Sequence, residues 1–255
     1  MRALILGASS GFGAAAAVAF AEAGWDVAGV HLDRRATLPQ AEAVVAKIEA
    51  AGQRAEFFNV NAADDGKRAE VLEALAASGG GVDVLMHSLA FGSLRPFVDL
   101  EGGRELSSKQ LTMTMEVMAH SLLWWSRDLV HKGLMGRGGR IFAMSSSGSL
   151  AAMPHYGAVS AAKCALESHI RQLAVELAPA GICANTLMAG VTDTPALRKI
   201  PGHEQLMEHA LARNPQGRLT TVDDLAGAIV ALSSPALGWM TGNVLRIDGG
   251  ETISG

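Results

Sequence analysis

The sequence predicts an α/β fold: one Rossmann-type, doubly wound parallel sheet with helices on both faces, spanning residues 1–255 as a single domain. Short apolar runs alternate with longer helical stretches along the whole chain. A glycine-rich loop directly follows the first apolar run, and no low-complexity linker interrupts the alternation. Because such sheets bind ligands beyond the carboxyl ends of their strands, we expect functional residues immediately after the apolar runs.

Seven apolar runs have the length and composition of buried strands. They cover residues 3–6, 26–30, 55–60, 82–86, 140–145, 181–187 and 243–247. Helical stretches lie near residues 11–23, 37–51, 66–77, 110–135, 155–179 and 222–233. Asp64 and Asp223 each stand where a helix is expected to begin, so they are predicted as N-caps.

Composition excludes several classes of function. The formal net charge is -4, so the molecule as a whole has no electrostatic attraction to nucleic acid. The longest stretch without a charged side chain, residues 141–162, contains a proline, two glycines and five serines, which is not the composition of a membrane span. Cys164 and Cys183 lack metal-ligand spacing, so no metal site is expected. The chain is predicted to be cytoplasmic.

A dinucleotide site is predicted where the first apolar run ends. The loop there reads Gly7-Ala8-Ser9-Ser10-Gly11-Phe12-Gly13 and opens an alanine-rich helix. Glycines permit a tight turn and let backbone N–H groups approach a pyrophosphate at the helix N-terminus. A strand before the loop and a helix after it are the context that such a motif requires.

The residues after the second run should contact the ribose that carries adenine. A carboxylate there favours a 2′-hydroxyl and therefore NADH, whereas arginine favours the 2′-phosphate of NADPH. The run His31-Leu32-Asp33-Arg34-Arg35 offers both kinds of side chain. Arg34 and Arg35 lead us to expect NADPH rather than NADH, with a solvated arginine loop as the open alternative.

A catalytic pair is predicted after the fifth run, which ends in several serines. Tyr156 is the chain's one tyrosine, and Lys163 follows it by seven residues. On a helix, seven residues span about 700°, or nearly two turns, so both side chains should share one face. Ser146 is a third polar candidate for the same site.

These motifs, taken together, resemble the short-chain dehydrogenase/reductase family. Most members carry Tyr-x-x-x-Lys, but Val159 occupies that tyrosine position here. The Tyr-x6-Lys spacing of Tyr156 and Lys163 resembles the enoyl-acyl-carrier-protein reductases of the family. The run beginning at His87 is also similar to theirs, and Met118 stands where ketoreductases place a catalytic asparagine that holds a water behind the lysine.

The resemblance implies positions for the coenzyme contacts. The implied contacts are Gly7, Ser9, Ser10, Gly11, Phe12, Gly13, His31, Arg34, Asn59, Val60, Ser88, Leu89, Ala90, Lys163, Gly190, Thr192 and Thr194. Asn59 and Val60 would pack against adenine, Thr194 would lie on the nicotinamide side, and Lys163 would hold ribose hydroxyls.

The displaced tyrosine indicates which bond is reduced. Hydride reaches a ketone at its carbonyl carbon, but it reaches a 2-enoyl thioester at the β carbon, two carbons from the carbonyl carbon. The acid in the second reaction must therefore lie further from the hydride. We expect reduction of 2-enoyl thioesters, with an acyl carrier protein as the implied carrier and a homotetramer as the implied assembly.

Two other functions stay open on sequence alone. An NADPH-dependent 3-oxoacyl or carbonyl reductase of the same family is favoured by Ser146, which stands at the ketoreductase serine position. A catalytically silent dinucleotide-binding regulatory protein is the alternative of another class.

Residues 195–218 are either a lid over an acyl chain or a peripheral helix pair.

Overall fold

A computed structural model describes residues 1–254 and contains a parallel sheet in the strand order β3-β2-β1-β4-β5-β6-β7. The strands are β1 (Arg2–Leu6), β2 (Asp26–His31), β3 (Ala55–Asn59), β4 (Val84–His87), β5 (Arg140–Ser146), β6 (Cys183–Ala189) and β7 (Val244–Ile247). The order reverses between β1 and β4, so a crevice forms at their carboxyl ends. This arrangement confirms the predicted fold class.

Helices cover both faces of the sheet. They are α1 (Gly11–Glu22), α2 (Leu38–Ala50), α3 (Asp65–Ala77), α4 (Ser108–Met115), α5 (Ser121–His131), α6 (Gly157–Glu176), α7 (His203–Arg213) and α8 (Val222–Leu232). One apolar cluster joins α3, α5 and α6 to strand residues such as Leu4 and Ile141. The other joins α1, α2 and α8 to the alternate residues, such as Ile5 and Phe142.

The helical stretch predicted at 110–135 is three segments in one line. A π-helical turn, Glu116–His120, joins α4 to α5, and the Ser121 N–H bonds back to the Glu116 carbonyl. Trp125 on α5 is buried and its indole N–H donates to the Ala62 carbonyl at 2.8 Å. Packing inside the chain therefore accounts for the burial of Trp125.

Element boundaries differ from the sequence expectations at four informative places. β4 and β6 begin and end later than predicted, because the residues before them form turns that enter the sheet. Asp64 caps α3 as expected, but Thr221 rather than Asp223 caps α8, in a reciprocal pair with Asp224. The helix predicted from residue 155 begins at Gly157, which leaves Tyr156 at the N-cap instead of within the helix.

The loop between β1 and α1 is closed on itself. A Cβ added at Gly13 would overlap the carbonyl oxygen of Gly7, so this helix position admits only glycine at the present spacing. Gly227 on α8 is also helical, but a Cβ there would meet nothing within 4 Å. The two glycines therefore form a matched pair for testing that closure.

We expect Gly13→Ala to lower the free energy of unfolding by about 1–3 kcal/mol, because the methyl group forces the loop apart. Gly227→Ala should raise it by about 0.5–1 kcal/mol, because alanine restricts the unfolded chain and favours helix. Urea denaturation of the two variants measures both changes. Equal stability of the two variants would contradict the close contact between Gly13 and Gly7.

Candidate active site

The glycine loop is anchored to the strand beside it. The Gly7 and Ala8 N–H groups both donate to the Val30 carbonyl, at 2.8 and 3.1 Å. Gly7 and Gly11 have left-handed backbones, with φ of 91° and 55°. Of the remaining loop residues predicted to bind coenzyme, Ser9, Ser10 and Phe12 are half-buried at the mouth of the crevice.

The ends of β2 and β3 enclose a carboxylate that sequence reasoning did not place among the site residues. His31 is buried, and its Nδ1 lies 2.8 Å from an Asp33 carboxylate oxygen. Asn59 exchanges two hydrogen bonds with the Asp33 backbone, at 2.9 and 3.0 Å. Burial would raise the pKa of Asp33, but the facing side chains of Thr37, Ser9 and His31 outweigh burial and lower it.

The two arginines that favoured NADPH follow this carboxylate on the surface. Arg34 and Arg35 are exposed after Asp33, and Arg34 contributes its backbone carbonyl to the turn that starts α2. Asn59 is exposed and Val60 half-buried, with the Val60 N–H donating to the His31 carbonyl. The Asp33 carboxylate is therefore the ionic group that faces the glycine loop through Ser9.

Residues from two other strand ends border the glycine loop. The Ser88 carbonyl and a Leu89 methyl lie next to the Cα of Gly7, while Ala90 is exposed at the rim. Thr194 approaches Gly11 from the segment after β6, within 3.7 Å of where a Cβ would lie. The fold thus brings together three segments that the sequence placed far apart.

The end of β6 is held by a buried carboxylate that the sequence did not reveal. Glu251 accepts the Val191 N–H at 2.9 Å, and burial raises the pKa of its carboxyl group. A Cβ at Gly190 would overlap the Thr220 hydroxyl and crowd Glu251. The Thr192 hydroxyl donates to the Gly190 carbonyl at 3.0 Å, so the loop after β6 is tightly fixed.

The segment at residues 195–218 contains one short turn and one helix rather than a helix pair. The turn covers Leu197–Lys199 and is capped by the Thr194 hydroxyl, which accepts the Leu197 N–H at 3.2 Å. The helix is α7. Arg198 pairs with Asp193 on the exposed side, so the turn is attached next to Thr194.

Tyr156 enters the site from the N-cap of α6. His155 before it has a left-handed backbone, with φ of 62°, and turns the chain into the helix. The Tyr156 ring packs against Gly148, where any Cβ would meet it at 2.5 Å. Burial raises the pKa of the phenol, and the nearby Ser146 hydroxyl lowers it less, so Tyr156 stays protonated at neutral pH and can act as a donor.

Ser146 lies beside Tyr156 without a hydrogen bond of good geometry. Its Oγ is buried and has no partner among the described residues. It lies 3.3 Å from the position that a Cβ of Gly148 would occupy, which the phenol ring also contacts. An unpaired buried hydroxyl next to a protonated phenol is available to a polar group of a ligand.

Lys163 is the buried cation of the site. Its side chain is 6% exposed and its Nζ donates to the Met144 carbonyl of β5 at 2.7 Å. Burial lowers the pKa of Lys163 to about 8, and the negative charge of Glu167 opposes that decrease. The ammonium form is therefore the main form at neutral pH, with a deprotonation close above it.

His87 lies behind Lys163 and is neutral. Burial, with the charge of Lys163, lowers the pKa of His87 to about 3. Its Nε2 lies 2.8 Å from the Ser121 hydroxyl, which itself donates to the Val117 carbonyl. Because the Ser121 hydroxyl proton is donated to Val117, Nε2 of His87 must carry the ring hydrogen and donate it to the Ser121 oxygen. Nδ1 is then unprotonated, buried and without a partner among residues 1–254.

Apolar side chains fill the two positions where ketoreductases carry polar catalytic groups. Val159 and Met118 are both buried. They meet over Gly92, where an added Cβ would lie 2.7 Å from Val159 and 2.9 Å from the Met118 sulfur. Because both side chains are apolar, neither can carry a proton between α6 and the π turn.

One further buried acid is part of this region. Glu167 follows Lys163 by one helical turn and accepts a 2.5 Å hydrogen bond from the Ser145 hydroxyl. Sequence reasoning missed it, although the i, i+4 spacing from Lys163 was a usable signal.

Comparison with known proteins identifies the family. The family profile described as enoyl-(acyl carrier protein) reductase matches residues 7–252. The chain belongs to the short-chain dehydrogenase/reductase family. Within that family it resembles the enoyl-acyl-carrier-protein reductases, as the Tyr156 to Lys163 spacing had indicated. It is an oxidoreductase that uses a nicotinamide dinucleotide.

Its relatives differ in their reactions. An enoyl-[acyl-carrier-protein] reductase [NADH] of Aquifex aeolicus is 34% identical over 69% of this chain, and the match spans 64% of that relative. An L-rhamnose 1-dehydrogenase (NAD(P)(+)) of a Sphingomonas species is 30% identical over 98% of this chain and 96% of its own. Family membership therefore leaves the substrate open.

A solved structure supports the same fold assignment. The crystal structure of enoyl-[acyl-carrier-protein] reductase (NADH) from Aquifex aeolicus covers 100% of this chain and 97% of its own, with a TM-score of 0.85 and 28% identity. Within residues 1–254, no helix combines the length and hydrophobicity needed to cross a bilayer.

The burial of Lys163 predicts that this side chain lowers the free energy of unfolding at neutral pH, so removing its charge should stabilise the fold. Moving that pKa from 10.5 to about 8 corresponds to roughly 3 kcal/mol against the folded ammonium form. At neutral pH, Lys163→Met should raise the free energy of unfolding by up to about 3 kcal/mol, less about 1 kcal/mol for the lost bond to Met144.

The gain should shrink as pH rises through the interval from about 8 to 10.5, because the folded wild-type protein then loses the charge before the unfolded chain does. Urea denaturation at several pH values measures it. Lys47→Met, at an exposed position of α2, is the matched control and should show no such pH dependence. A large destabilisation by Lys163→Met at neutral pH would contradict the buried-charge account.

Proposed function

We propose that this protein reduces the carbon–carbon double bond of 2-enoyl thioesters, with acyl carrier protein as the acyl carrier. The observation that carries the proposal is the contact between Val159 and Met118 beside a protonated Tyr156. It replaces a ketoreductase relay by apolar packing and moves the one phenol of the chain to the start of α6.

The residues of the crevice fit a nicotinamide dinucleotide. The carbonyl of Gly7 lies where any Cβ of Gly13 would be, so the loop presents backbone close to the N-terminus of α1. That combination of bare backbone and helix dipole suits a pyrophosphate. When bound, the reduced coenzyme supplies the hydride that saturates the β carbon.

Tyr156 and Lys163 would divide the remaining work. Addition of hydride at the β carbon moves the π electrons toward the thioester oxygen, which becomes an enolate oxygen. Tyr156 donates a hydrogen bond to that oxygen, and its burial keeps the proton on the phenol until then. Lys163 would hold ribose hydroxyls and stabilise the developing negative charge, and solvent water would supply the proton that the α carbon takes when the enolate collapses.

An apolar acyl chain has a surface to occupy next to Tyr156. The segment after β4 exposes Phe91, Phe97 and Leu100. The Phe97 ring lies against Gly157, one residue beyond Tyr156. A cavity of about 490 Å³ lies beside this segment, lined by apolar and charged side chains alike: Pro96, Val98, Asp99, Leu100, Glu101, Arg104 and His155. Exposed apolar side chains around a catalytic residue suit a hydrophobic substrate.

A carbonyl reductase is the second candidate, because Ser146 lies beside Tyr156 in an unpaired state. The sugar dehydrogenase among the relatives is compatible with that candidate. The two functions differ in which residue they require, since ketone reduction would depend on Ser146 much more strongly.

The coenzyme that the geometry favours is NADH. The Asp33 carboxylate is fixed by His31 and faces Ser9 of the glycine loop, whereas Arg34 and Arg35 point into solvent. A fixed carboxylate can accept hydrogen bonds from ribose hydroxyls but repels a 2′-phosphate. This arrangement supports NADH over the NADPH that the arginines had suggested.

Paired substrates test the reaction. With NADH, we expect faster turnover of a crotonyl thioester than of an acetoacetyl thioester. Tyr156→Phe should lower kcat on the crotonyl thioester by about 10²–10³-fold, because one oxyanion donor is lost. Dissociation constants for NADH, from nicotinamide fluorescence, should be nearly unchanged and serve as the folding control.

Ser146→Ala separates the two candidates in the same assay. It should reduce crotonyl turnover by less than Tyr156→Phe does, because the proposed mechanism assigns the hydrogen bond to the enolate oxygen to Tyr156. A preference for the acetoacetyl thioester, with activity abolished by Ser146→Ala, would replace the proposal by the carbonyl reductase.

The coenzyme assignment has its own test. Asp33→Asn keeps the shape but removes the charge, so the ratio of kcat/KM for NADH to that for NADPH should fall by about tenfold, the effect of about 1.4 kcal/mol. Replacing Arg34 and Arg35 together by alanine is the matched control and should leave the ratio unchanged. A ratio that responds to the arginines and not to Asp33 would restore the NADPH assignment.

A further inference from the structure

Glu167 is a buried carboxylate that the proposed mechanism does not use. Its residue is 9% exposed, although it lies in the middle of α6. The Ser145 hydroxyl donates to it at 2.5 Å. Carboxylates are rarely buried without a specific partner, because removing the charge from water is costly. One hydroxyl is a weak compensation for a whole negative charge, so a cation should contribute.

That cation is Lys163, one turn earlier on the same helix. The two side chains approach the end of β5 together: Lys163 donates to the Met144 carbonyl, and Glu167 accepts from the adjacent Ser145. Residues four apart lie on the same face of a helix, at about 6 Å. The negative charge of Glu167 correspondingly raises the pKa of Lys163 against the effect of burial.

The other titratable groups near Lys163 carry no charge that could do the same. His87 of β4 is neutral, since burial lowers its pKa to about 3. Tyr156, at the N-cap of α6, stays protonated because burial raises its pKa. Glu167 is thus the counter-charge among the groups that face the lysine from β4 and α6.

Glu167 also borders a cavity at the edge of the sheet. The cavity has a volume of about 400 Å³ and is lined by Leu150, Glu167, Met188, Val244, Leu245 and Arg246. Arg246 of β7 is the charged group that faces Glu167 from that side. The carboxylate therefore lies between a solvent-connected cavity and the buried ammonium group.

We propose that Glu167 is a positioning residue that keeps Lys163 in its ammonium form and so sets the alkaline limit for dinucleotide binding. The inference rests on the proposed function, in which Lys163 holds the ribose hydroxyls. Below this limit the ammonium group is available to the coenzyme; above it, the neutral amine binds more weakly.

Glu167→Gln tests the proposal, because glutamine keeps the shape and can still accept from Ser145. The dissociation constant for NADH is measured by nicotinamide fluorescence from about pH 6 to about pH 10, an interval that spans the deprotonation of Lys163. In the variant, the pH at which binding weakens should move down by about one unit, because an opposite charge is lost. Affinity at the acid end should stay the same.

Two further variants separate charge from structure. Glu167→Asp keeps the charge and should restore the wild-type midpoint. Glu176→Gln makes the same charge change at an exposed position of α6 and should not move it. A midpoint unchanged in Glu167→Gln, even with a lower melting temperature, would show a purely structural role and overturn the proposal.

A measurement without coenzyme keeps the inference separate from the proposed function. Lys163 has a lower pKa in the folded than in the unfolded protein, so the unfolded chain binds more protons and stability rises with pH between about 8 and 10.5. In Glu167→Gln this rise of stability should begin at lower pH. In Lys163→Met the titrating group is gone, so adding Glu167→Gln should not change how stability depends on pH in this interval. If the wild-type protein did not bind NADH but Glu167→Gln still moved the onset of this rise, only the proposed function would be refuted. If Glu167→Gln did not move the onset, the role of Glu167 would be refuted.

Discussion

An ammonium group buried at the end of β5 is the constraint on which the catalytic half of the structure depends. The Lys163 ammonium group is buried away from water and donates to one backbone carbonyl, and burial lowers its pKa to about 8. The groups around it accommodate that charge: His87 stays neutral, Tyr156 keeps its proton, and Glu167 supplies the opposite sign. A second cation in this space would remove the charge from Lys163.

The other half of the crevice relies on backbone proximity and on a fixed anion. Gly7 and Gly13 approach so closely that side chains are excluded, which exposes N–H groups at the start of α1. Asp33 adds a carboxylate held by His31 and by the backbone contacts of Asn59. The start of α1 therefore presents a positive field and the end of β2 a negative one.

The sequence was informative where a motif has one local cause. The seven strands and the glycine loop between the first strand and the first helix are local patterns, and the structure contains each of them where the sequence predicts it. It was uninformative where the cause lies in tertiary packing. The position of Tyr156 before α6, the inward Asp33 and the outward Arg34 depend on how separate segments meet, as do the buried Glu167 and Glu251. No pattern of neighbouring residues encodes which of two adjacent charges turns inward.

The π-helical turn between α4 and α5 determines how the structure would respond to the deletion of one residue. One residue more than an α-helical turn fits between Glu116 and Ser121, so Ser121 meets His87 while Met118 meets Val159. Deleting a single residue there would restore a regular α-helix, and α4 and α5 would keep nearly the same relative rotation, because the π turn absorbs its extra residue locally. Ser121, which follows the turn, would keep its contact with His87, whereas Met118 lies within the turn and would change direction, so the packing of Met118 with Val159 is what the extra residue maintains.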